Sequence, residues 1–314
     1  MAYTNTDTNM TTSSGLSAGM QTYYNRELLR TFEPNLVHLQ FGDEHRMPPH
    51  SGLVMNMRKL IPLETNTKAL SEGDPGESVM LAETEVTVQL QQYGEYARCT
   101  DKLDLTHLDM DIMRRTKLFG DAGARSIDAV VREELAKCAN VIYANGKTSR
   151  ASLTAEDKLT SRELRKAVKT LKKNHAQTFG GYYVAIVGPD TMYDLQEDEA
   201  FVKVSQYQDK ENIYTGEVGR LFGVRLVETT EAKIFAEAGA NKADVASVIV
   251  LGQYAYGVTS LKGAKPRVIV KPAGSAGTAD PLDQISTVGW KMDGFGAKLL
   301  QPEYAVRIEC GFSA

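Results

Sequence analysis

Residues 51–100 show a two-residue alternation of apolar and polar side chains, interrupted by an acidic stretch rich in turn-forming residues. Side chains that repeat every second residue lie on one face of a β-strand, so the pattern predicts two strands joined as a long hairpin. Because an isolated hairpin is only marginally stable in water, we expect its apolar face to pack on another copy of the chain. That face comprises Leu53, Met55 and Met57 on the first strand and Val86, Val88 and Leu90 on the second.

The stretch between the two strands combines turn formers with like charges, which suits a solvated loop better than a core. Strands of about a dozen residues reach about 40 Å at roughly 3.3 Å per residue, so the loop should project as a tip. Near Gly94 the apolar alternation changes phase, which indicates either a β-bulge or a simple bend at a glycine. The acidic residues of the tip are Glu64, Glu72, Asp74 and Glu77.

The 314-residue chain has the composition of an ordinary globular protein, with 42% hydrophobic and 24% charged residues and a net charge of −4. A protein whose main task is to grip nucleic-acid phosphate needs clustered positive charge, so this balance argues against that class. Cys99, Cys138 and Cys310 are widely spaced, which predicts core thiols in a reducing compartment. Neither a signal peptide nor a membrane span is predicted, so we expect synthesis in the cytosol.

Residues 1–20 are polar and contain too little apolar surface to fold alone. They are predicted to be an arm, either disordered or ordered as a strap on a partner. The strongest helical pattern follows the hairpin, from about residue 121 to residue 143, with Asp128 among its polar positions and Asn145-Gly146 as its ending signal. Its apolar face is formed by Ile127, Val130, Val131, Leu135, Cys138 and Ile142.

A second region begins near Thr160, where Thr160-Ser161-Arg162-Glu163 has the form of a capping box that opens a helix. The six Lys and Arg residues of this helix are interpreted as a solvated face rather than a nucleic-acid site, because no aromatic residues alternate with them. The mixture of elements that follows predicts an α+β fold. Strands are expected at 182–187, 221–228, 245–251, 267–271, 287–300 and 304–312, and helices through Met192 and Leu195 and at 232–238.

The sequence gives no support for catalysis or for a bound cofactor. Gly146-Lys147-Thr148 copies the end of a phosphate-binding loop, but Val141 stands where that motif requires glycine. Gly216, Gly219 and Gly223 lead from a loop into a strand, the reverse of the order in a dinucleotide site. The histidines have no recognisable nucleophile partner. We therefore predict that the protein is not an enzyme.

One cluster of metal-ligating residue types occurs, at Asp43, Glu44, His45 and His50. Two of its members are adjacent, and Pro48-Pro49 stiffens the segment away from a fixed coordination geometry. Exposed charged loops are common, so the cluster is interpreted as such a loop and no metal site is predicted.

The order of these parts resembles that of the major capsid protein of tailed bacteriophages, a fold shared with encapsulins and with the floor domain of herpesvirus capsids. Within that fold the chain is most similar to the coat proteins of N-four-like podoviruses, over nearly its whole length. The segments that carry the resemblance are Pro34-Asn35-Leu36-Val37, Phe41-Gly42, Gln92-Tyr93-Gly94-Glu95-Tyr96, Ala139-Asn140-Val141-Ile142-Tyr143-Ala144, Gly216-Glu217-Val218-Gly219-Arg220, Gly223-Val224-Arg225, Glu228-Thr229, Gly289-Trp290-Lys291, Pro302-Glu303-Tyr304 and Arg307-Ile308-Glu309.

The resemblance implies a division of the chain into the parts of a capsid subunit. Residues 1–22 correspond to the N-arm, 47–97 to the E-loop, 23–46 and 98–159 to the P-domain with its spine helix at about 121–143, 160–286 to the A-domain, and 287–314 to strands that return to the P-domain. The ten hairpin residues named above then become E-loop contacts between subunits.

The function that the resemblance implies is geometric: hexamers and pentamers that tile an icosahedral shell around double-stranded DNA, without sequence specificity and without a membrane. The implied partners are other copies of the chain, a portal protein, a separate scaffolding protein and a possible decoration protein. Such a protein is assembled in the host cytoplasm and ends in the virion capsid. In one branch of the fold an E-loop lysine forms an isopeptide bond with an asparagine, but no asparagine follows Asn241 here, so no cross-link is expected.

Two alternatives remain open from the sequence. An encapsulin-like nanocompartment would use the same fold to enclose a cargo enzyme instead of DNA. A soluble metabolic enzyme would be a monomer or a small oligomer in solution.

Overall fold

The computed structural model describes residues 25–26, 28, 36–48, 50–60, 67, 69, 80–81, 83–102, 112–198, 201, 220–261, 265–275 and 280–313. The helices with described bounds are α1 Ile112–Leu135, α2 Ser161–Lys173 and α3 Pro189–Gln196. The strands are β1 Asp43–Met47, β2 Val54–Leu60, β3 Glu83–Gln89, β4 Gln91–Thr100, β5 Val141–Tyr143, β6 Tyr183–Val187, β7 Arg220–Leu221, β8 Val224–Glu228, β9 Ile234–Phe235, β10 Val245–Leu251, β11 Tyr256–Leu261, β12 Arg267–Lys271, β13 Ile285–Leu299 and β14 Ala305–Cys310.

A five-stranded sheet forms around the 15-residue strand β13, which pairs antiparallel with β4 along one edge and with β11 and β12 along the other. Strand β1 extends the sheet by pairing parallel with β11. Strands β2 and β3 form a separate two-stranded sheet. Because β4 directly follows β3 in the chain, the hairpin leads straight into the five-stranded sheet.

A seven-stranded sheet has the strand order β5-β14-β10-β6-β8-β7, with β9 also paired to β10. Every residue of β10 is buried, as expected for a central strand covered on both faces. One face packs against the apolar side of α1, whose Ile127, Val131 and Leu135 are fully buried. Helices α2 and α3 cover the other face. The long helix α1 also contacts β13, so it joins the two sheets.

The bounds of α1 differ from the predicted helix at 121–143. The helix begins nine residues earlier and ends at Leu135, and Val141–Tyr143 is strand β5, which pairs parallel with β14. The backbone N–H groups of Lys137 and Cys138 bond to carbonyls three residues back, at 3.1 Å each, so the helix tightens and stops. The apolar spacing continues past this stop because β5 also faces the core.

The position of Asp128 is a second difference, because the sequence placed it on the polar side of α1. Its carboxylate is fully buried and accepts the backbone N–H of His38 at 2.7 Å, and its second oxygen lies 2.5 Å from His38 Nδ1. The hydroxyl of Tyr256 donates to the His38 carbonyl. This polar cluster attaches the segment at residues 36–42 to the core.

Several smaller predictions can be compared with the structure. The helix expected after Thr160 begins at Ser161, and the Thr160 hydroxyl contacts the Glu163 carboxylate. The helix predicted at 232–238 is wrong, because strand β9 lies there and pairs with β10. The strand predicted at 221–228 is divided by a turn at Phe222 and Gly223, which both have positive φ.

The change of phase near Gly94 also has a different origin. Gly94 pairs regularly with Lys291, and the register shift lies on the partner strand between Met292 and Phe295, opposite Gln91–Tyr93. The less exposed residues are even-numbered up to Leu90 and odd-numbered from Tyr93 onward. The change occurs where β3 ends and β4 begins. The predicted switch is therefore real, but the bulge is on β13.

Candidate inter-subunit surface

Strands β2 and β3 pair antiparallel over seven residues each, from Val54 opposite Gln89 to Leu60 opposite Glu83. In this register Met55 lies opposite Val88 and Met57 opposite Val86. Residues directly opposite each other in an antiparallel pair share a face, so the predicted apolar face of the hairpin is confirmed.

The base of this face is already covered within the chain. Met57, Val88 and Leu90 are only 4%, 2% and 3% exposed. A Cβ atom at Gly257 would lie 2.8 Å from Met57 Sδ, and one at Gly296 would lie 2.9 Å from Val88 Cγ1, so glycines in β11 and β13 make room for the two side chains. The expectation that the whole face needs a neighbouring copy is therefore wrong for these three residues, because the five-stranded sheet buries them.

An ion pair fixes the loop end of the paired strands to the body, because Lys59 lies opposite Thr84. Lys59 Nζ lies 2.7 Å from Glu303 Oε2, in the turn before β14. The hydrogen bond from Lys59 lowers the pKa of the Glu303 carboxyl below its usual range. Asn174, at the end of α2, donates to the Glu303 carbonyl at 3.0 Å. One turn thus links the hairpin, β14 and α2.

The two ends of the hairpin expose apolar side chains. Leu53 and Val54 are 61% and 53% exposed, and Met80 and Leu81, which precede β3, are 90% and 76% exposed. The two pairs lie at opposite ends of the hairpin, because Val54 is opposite Gln89 and Glu83 is opposite Leu60. Each pair of adjacent exposed apolar side chains is a candidate interaction surface. Of these four, the sequence predicted only Leu53 as a contact. The apolar run just before Glu83 was the available signal for Met80 and Leu81.

The remaining predicted contacts have different outcomes. Met55 and Val86 are partly exposed on the hairpin face. The acidic tip residues Glu64, Glu72, Asp74 and Glu77 lie outside the described residues, so their predicted contacts stay a prediction.

No group of three or more metal-ligating side chains occurs in the described part of the chain. In the predicted cluster, His45 Nε2 lies 3.0 Å from Asp43 Oδ2, and Glu44 pairs with Arg46 at 2.9 Å. These residues lie on or beside the edge strand β1 and contact one another at the surface.

The three cysteines are free and buried, as predicted. Burial raises the pKa of the Cys138 and Cys310 thiols. A thiol that is harder to ionise is a poor nucleophile, so these two side chains are inert core groups. Among the described residues, no helix is long and apolar enough to cross a membrane.

Comparison with protein families identifies the class of protein. A family model described as phage capsid protein matches residues 83–308, most of the chain. The chain belongs to the phage capsid protein family. Proteins of this family are structural, so the chain is a capsid subunit of the virion and not an enzyme. A capsid subunit associates with copies of itself in a shell. Comparison with curated protein sequences gives no match.

Solved structures agree on the fold. The chain is similar to the capsid of Ralstonia phage GP4, with a TM-score of 0.69, 15% identity, and coverage of 100% of this chain and 98% of that chain. For the capsid of cyanophage P-SCSP1u the TM-score is 0.66 at 15% identity, with 88% and 89% covered. For the virus-like particle from Pyrococcus furiosus it is 0.54 at 12% identity, with 92% and 99% covered. The predicted tailed-phage major capsid protein fold is thereby confirmed.

Proposed function

We propose that this capsid protein forms hexamers and pentamers that close into an icosahedral shell around double-stranded DNA. The observation that supports the proposal best is the hairpin, which is fixed to its own chain along its length and leaves apolar side chains exposed at both ends. These side chains are Leu53 and Val54 next to β4, and Met80 and Leu81 next to the loop. A hairpin held by its own chain, with uncovered apolar side chains, suits a contact that repeats from subunit to subunit. The partly exposed Met55 and Val86 would join that contact.

The charge of the chain is compatible with an enclosing role. With a net charge of −4 the chain has little overall attraction for DNA phosphate, so the shell would not resist the entry of DNA by binding it tightly. Enclosure of this kind requires no sequence specificity. We infer that a separate scaffolding protein directs assembly in the host cytoplasm, that a portal protein occupies one vertex, and that a decoration protein is an optional further partner. The division into N-arm, E-loop, P-domain and A-domain given above belongs to the same proposal.

Expression of the full chain with its scaffolding protein, followed by negative-stain microscopy, tests the proposal. Closed shells with five- and six-fold capsomers are expected. An encapsulin-like compartment is the second candidate, supported by the similarity to the Pyrococcus furiosus particle. The contents of shells isolated from infected cells separate the two, because a capsid would contain double-stranded DNA and a nanocompartment a protein cargo.

A further inference from the structure

Helix α2 carries a row of cations on its solvent side. Six Lys and Arg residues stand against the single Glu163, so the helix has a net charge of +5, whereas the whole chain has −4. At about 100° per residue the six cations fall within about 120° of the helix circumference, opposite the buried Leu164 and Leu171. The row consists of Arg162, Arg165, Lys166, Lys169, Lys172 and Lys173.

Within the described part of the chain, only one cation of the row has a carboxylate partner. This is Lys166, whose Nζ lies 3.4 Å from Glu163 Oε1. Arg165 donates from Nε to the carbonyl of Ser161 at 3.4 Å, which leaves its charge unbalanced. Like charges three and four residues apart repel one another along a helix, and Arg162 lies in the first turn, where the helix dipole disfavours a cation. The row therefore does not stabilise α2, and it is suited to an external anion.

The helix on the opposite face of the same sheet balances its charges instead. On α1, Arg125 lies 2.5 Å from Asp121, and Lys137 lies 2.6 Å from Glu134. Both cations are more than half exposed, so their exposure is comparable to that of the row on α2. An ordinary solvated helix surface in this protein thus pairs its cations with its own carboxylates, and the row on α2 differs from it.

An exposed aromatic ring lies beside the row. The ring centroid of Phe222 is 5.1 Å from the guanidinium carbon of Arg165, and Phe222 is 37% exposed. Phe222 and Gly223 form the two-residue turn between β7 and β8, with φ values of 50° and 81°. Such turns favour asparagine and glycine, because a positive φ is unfavourable for a bulky side chain. The turn does not account for Phe222, which the fold brings next to cations that have no aromatic neighbour in the sequence.

The row and the ring together define the chemistry of a ligand. From Arg162 to Lys173 the row is about 16 Å long at roughly 1.5 Å per residue, which is the length of about five extended residues. A short segment of Asp and Glu residues matches this charge and length, and an apolar residue within it can pack on Phe222. Duplex DNA also matches the charge, but its cation contacts go to phosphate oxygens, which gain nothing from an adjacent aromatic ring.

We propose that the row on α2 and Phe222 form a docking surface for an acidic, partly apolar segment of a partner protein. Ion pairs with the row supply the attraction, and burial of Phe222 supplies an apolar anchor. The competing occupants from another copy of the chain are its acidic segments at 61–82 and 103–111. Copies that tile the proposed shell meet along their sides, whereas α2 covers a face of the seven-stranded sheet. The choice of a separate partner rests on that proposed function.

Calorimetric titration of the folded full chain with two short capped peptides tests the surface. One peptide is Leu-Glu-Asp-Glu-Asp-Glu-Leu, and the other has alanine in place of both leucines. The leucine peptide should bind more tightly, and added NaCl should weaken both, because the ion pairs are exposed to solvent. Phe222→Ala should weaken the leucine peptide about fivefold, to the affinity of the alanine peptide.

Neutralisation of cations locates the anionic contact. Lys169→Gln with Lys173→Gln should weaken both peptides by about fivefold, because two ion pairs are lost. Arg125→Gln with Lys137→Gln is the matched control, since it removes the same charge on the α1 side of the sheet, and it should leave both affinities unchanged. Equal weakening in the two variants would reduce the effect to net charge and overturn the proposal.

The other possible results identify other partners. A leucine peptide that binds no more tightly than the alanine peptide, or that is unaffected by Phe222→Ala, would overturn the proposal. So would a short oligothymidine whose binding depends on Phe222 when that of the peptide does not, because the surface would then bind nucleic acid. The Lys169→Gln, Lys173→Gln chain should form shells like the unsubstituted chain, and loss of shells in that variant alone would assign the row to a contact between copies. Failure of the unsubstituted chain to form shells would defeat the proposed function but leave the peptide result standing.

Discussion

Lys59 Nζ and Glu303 Oε2 lie 2.7 Å apart, which joins the first strand of the hairpin to the turn before the last strand of the protein. The lysine is only 17% exposed, whereas the carboxylate is 56% exposed. Surface pairs of this kind contribute about 0–1 kcal/mol, so this one orients the hairpin rather than stabilising the whole fold.

Glu303→Gln should therefore loosen the attachment of β2 to the body, with little effect on the unfolding midpoint. Hydrogen exchange of residues 54–60 should become faster, because the strand loses its ionic link to the body. Glu83→Gln is the matched control, since its carboxylate makes a longer, exposed contact of 3.5 Å to Arg58. Equal exchange in both variants would contradict an orienting role for the pair.

The same pair predicts a pH dependence. The pKa of Glu303 is lowered from 4.5 in the folded chain, so its contribution is fully present above pH 4.5 and is lost as pH falls through the folded-state pKa. Protection of residues 54–60, corrected for intrinsic exchange rates, should be constant between about pH 5 and 7 and fall below about pH 4.5. In the Glu303→Gln variant, protection should no longer fall below about pH 4.5. If it still fell in that variant, another titrating group would be responsible.

Asp128→Ala should destabilise the unassembled chain by about 1–3 kcal/mol, because the buried His38 N–H would lose its acceptor. The measurement is denaturant unfolding, with a lower midpoint and an unchanged slope. Asp121→Ala on the same helix is the control, since Asp121 pairs with the exposed Arg125 and should cost much less. Similar losses in the two variants would show that the His38 contact is not what stabilises the fold.

Met57 and Leu53 belong to the same apolar face of the hairpin, but truncating them should affect different properties. Met57 should matter for folding and Leu53 for assembly. Met57→Ala removes a buried side chain packed beside Gly257 and should cost about 2–5 kcal/mol of folding stability. Leu53→Ala removes an exposed side chain and should leave folding unchanged while weakening assembly. Thermal unfolding and sedimentation of the two variants make the comparison. A stable Met57→Ala chain would contradict the packing of the hairpin base.

Mature shells should contain no covalent cross-link between subunits. Lys59, one of two candidate amines in residues 51–80, is engaged with Glu303, and residues 242–314 contain no asparagine as an acceptor. Boiling in detergent should release one band at the 34.5 kDa of the chain. A ladder of larger bands that survives reduction would show that a bond forms after all.

The sequence predicted those features that depend on local periodicity. Strand β10 at 245–251, strand β12 at 267–271 and the shared face of the hairpin are confirmed, because each is a short run whose pattern can be recognised without its neighbours. The capping-box residues likewise located the start of α2.

Features that depend on distant partners could not be predicted. The end of α1 at Leu135 and the burial of Asp128 are set by β14 and by His38, which come from far along the chain. The burial of Met57 depends on a glycine 200 positions away, at Gly257. The sequence pattern identified an apolar face but could not show that its base was already covered.

The central claim is that this chain builds a closed shell from many copies of itself. Electron microscopy of the purified full-length protein, assembled with its scaffolding protein, tests that claim most directly. Icosahedral shells with capsomers of five and six subunits are the predicted result. A stable monomer that persists in the presence of the scaffolding protein would contradict it.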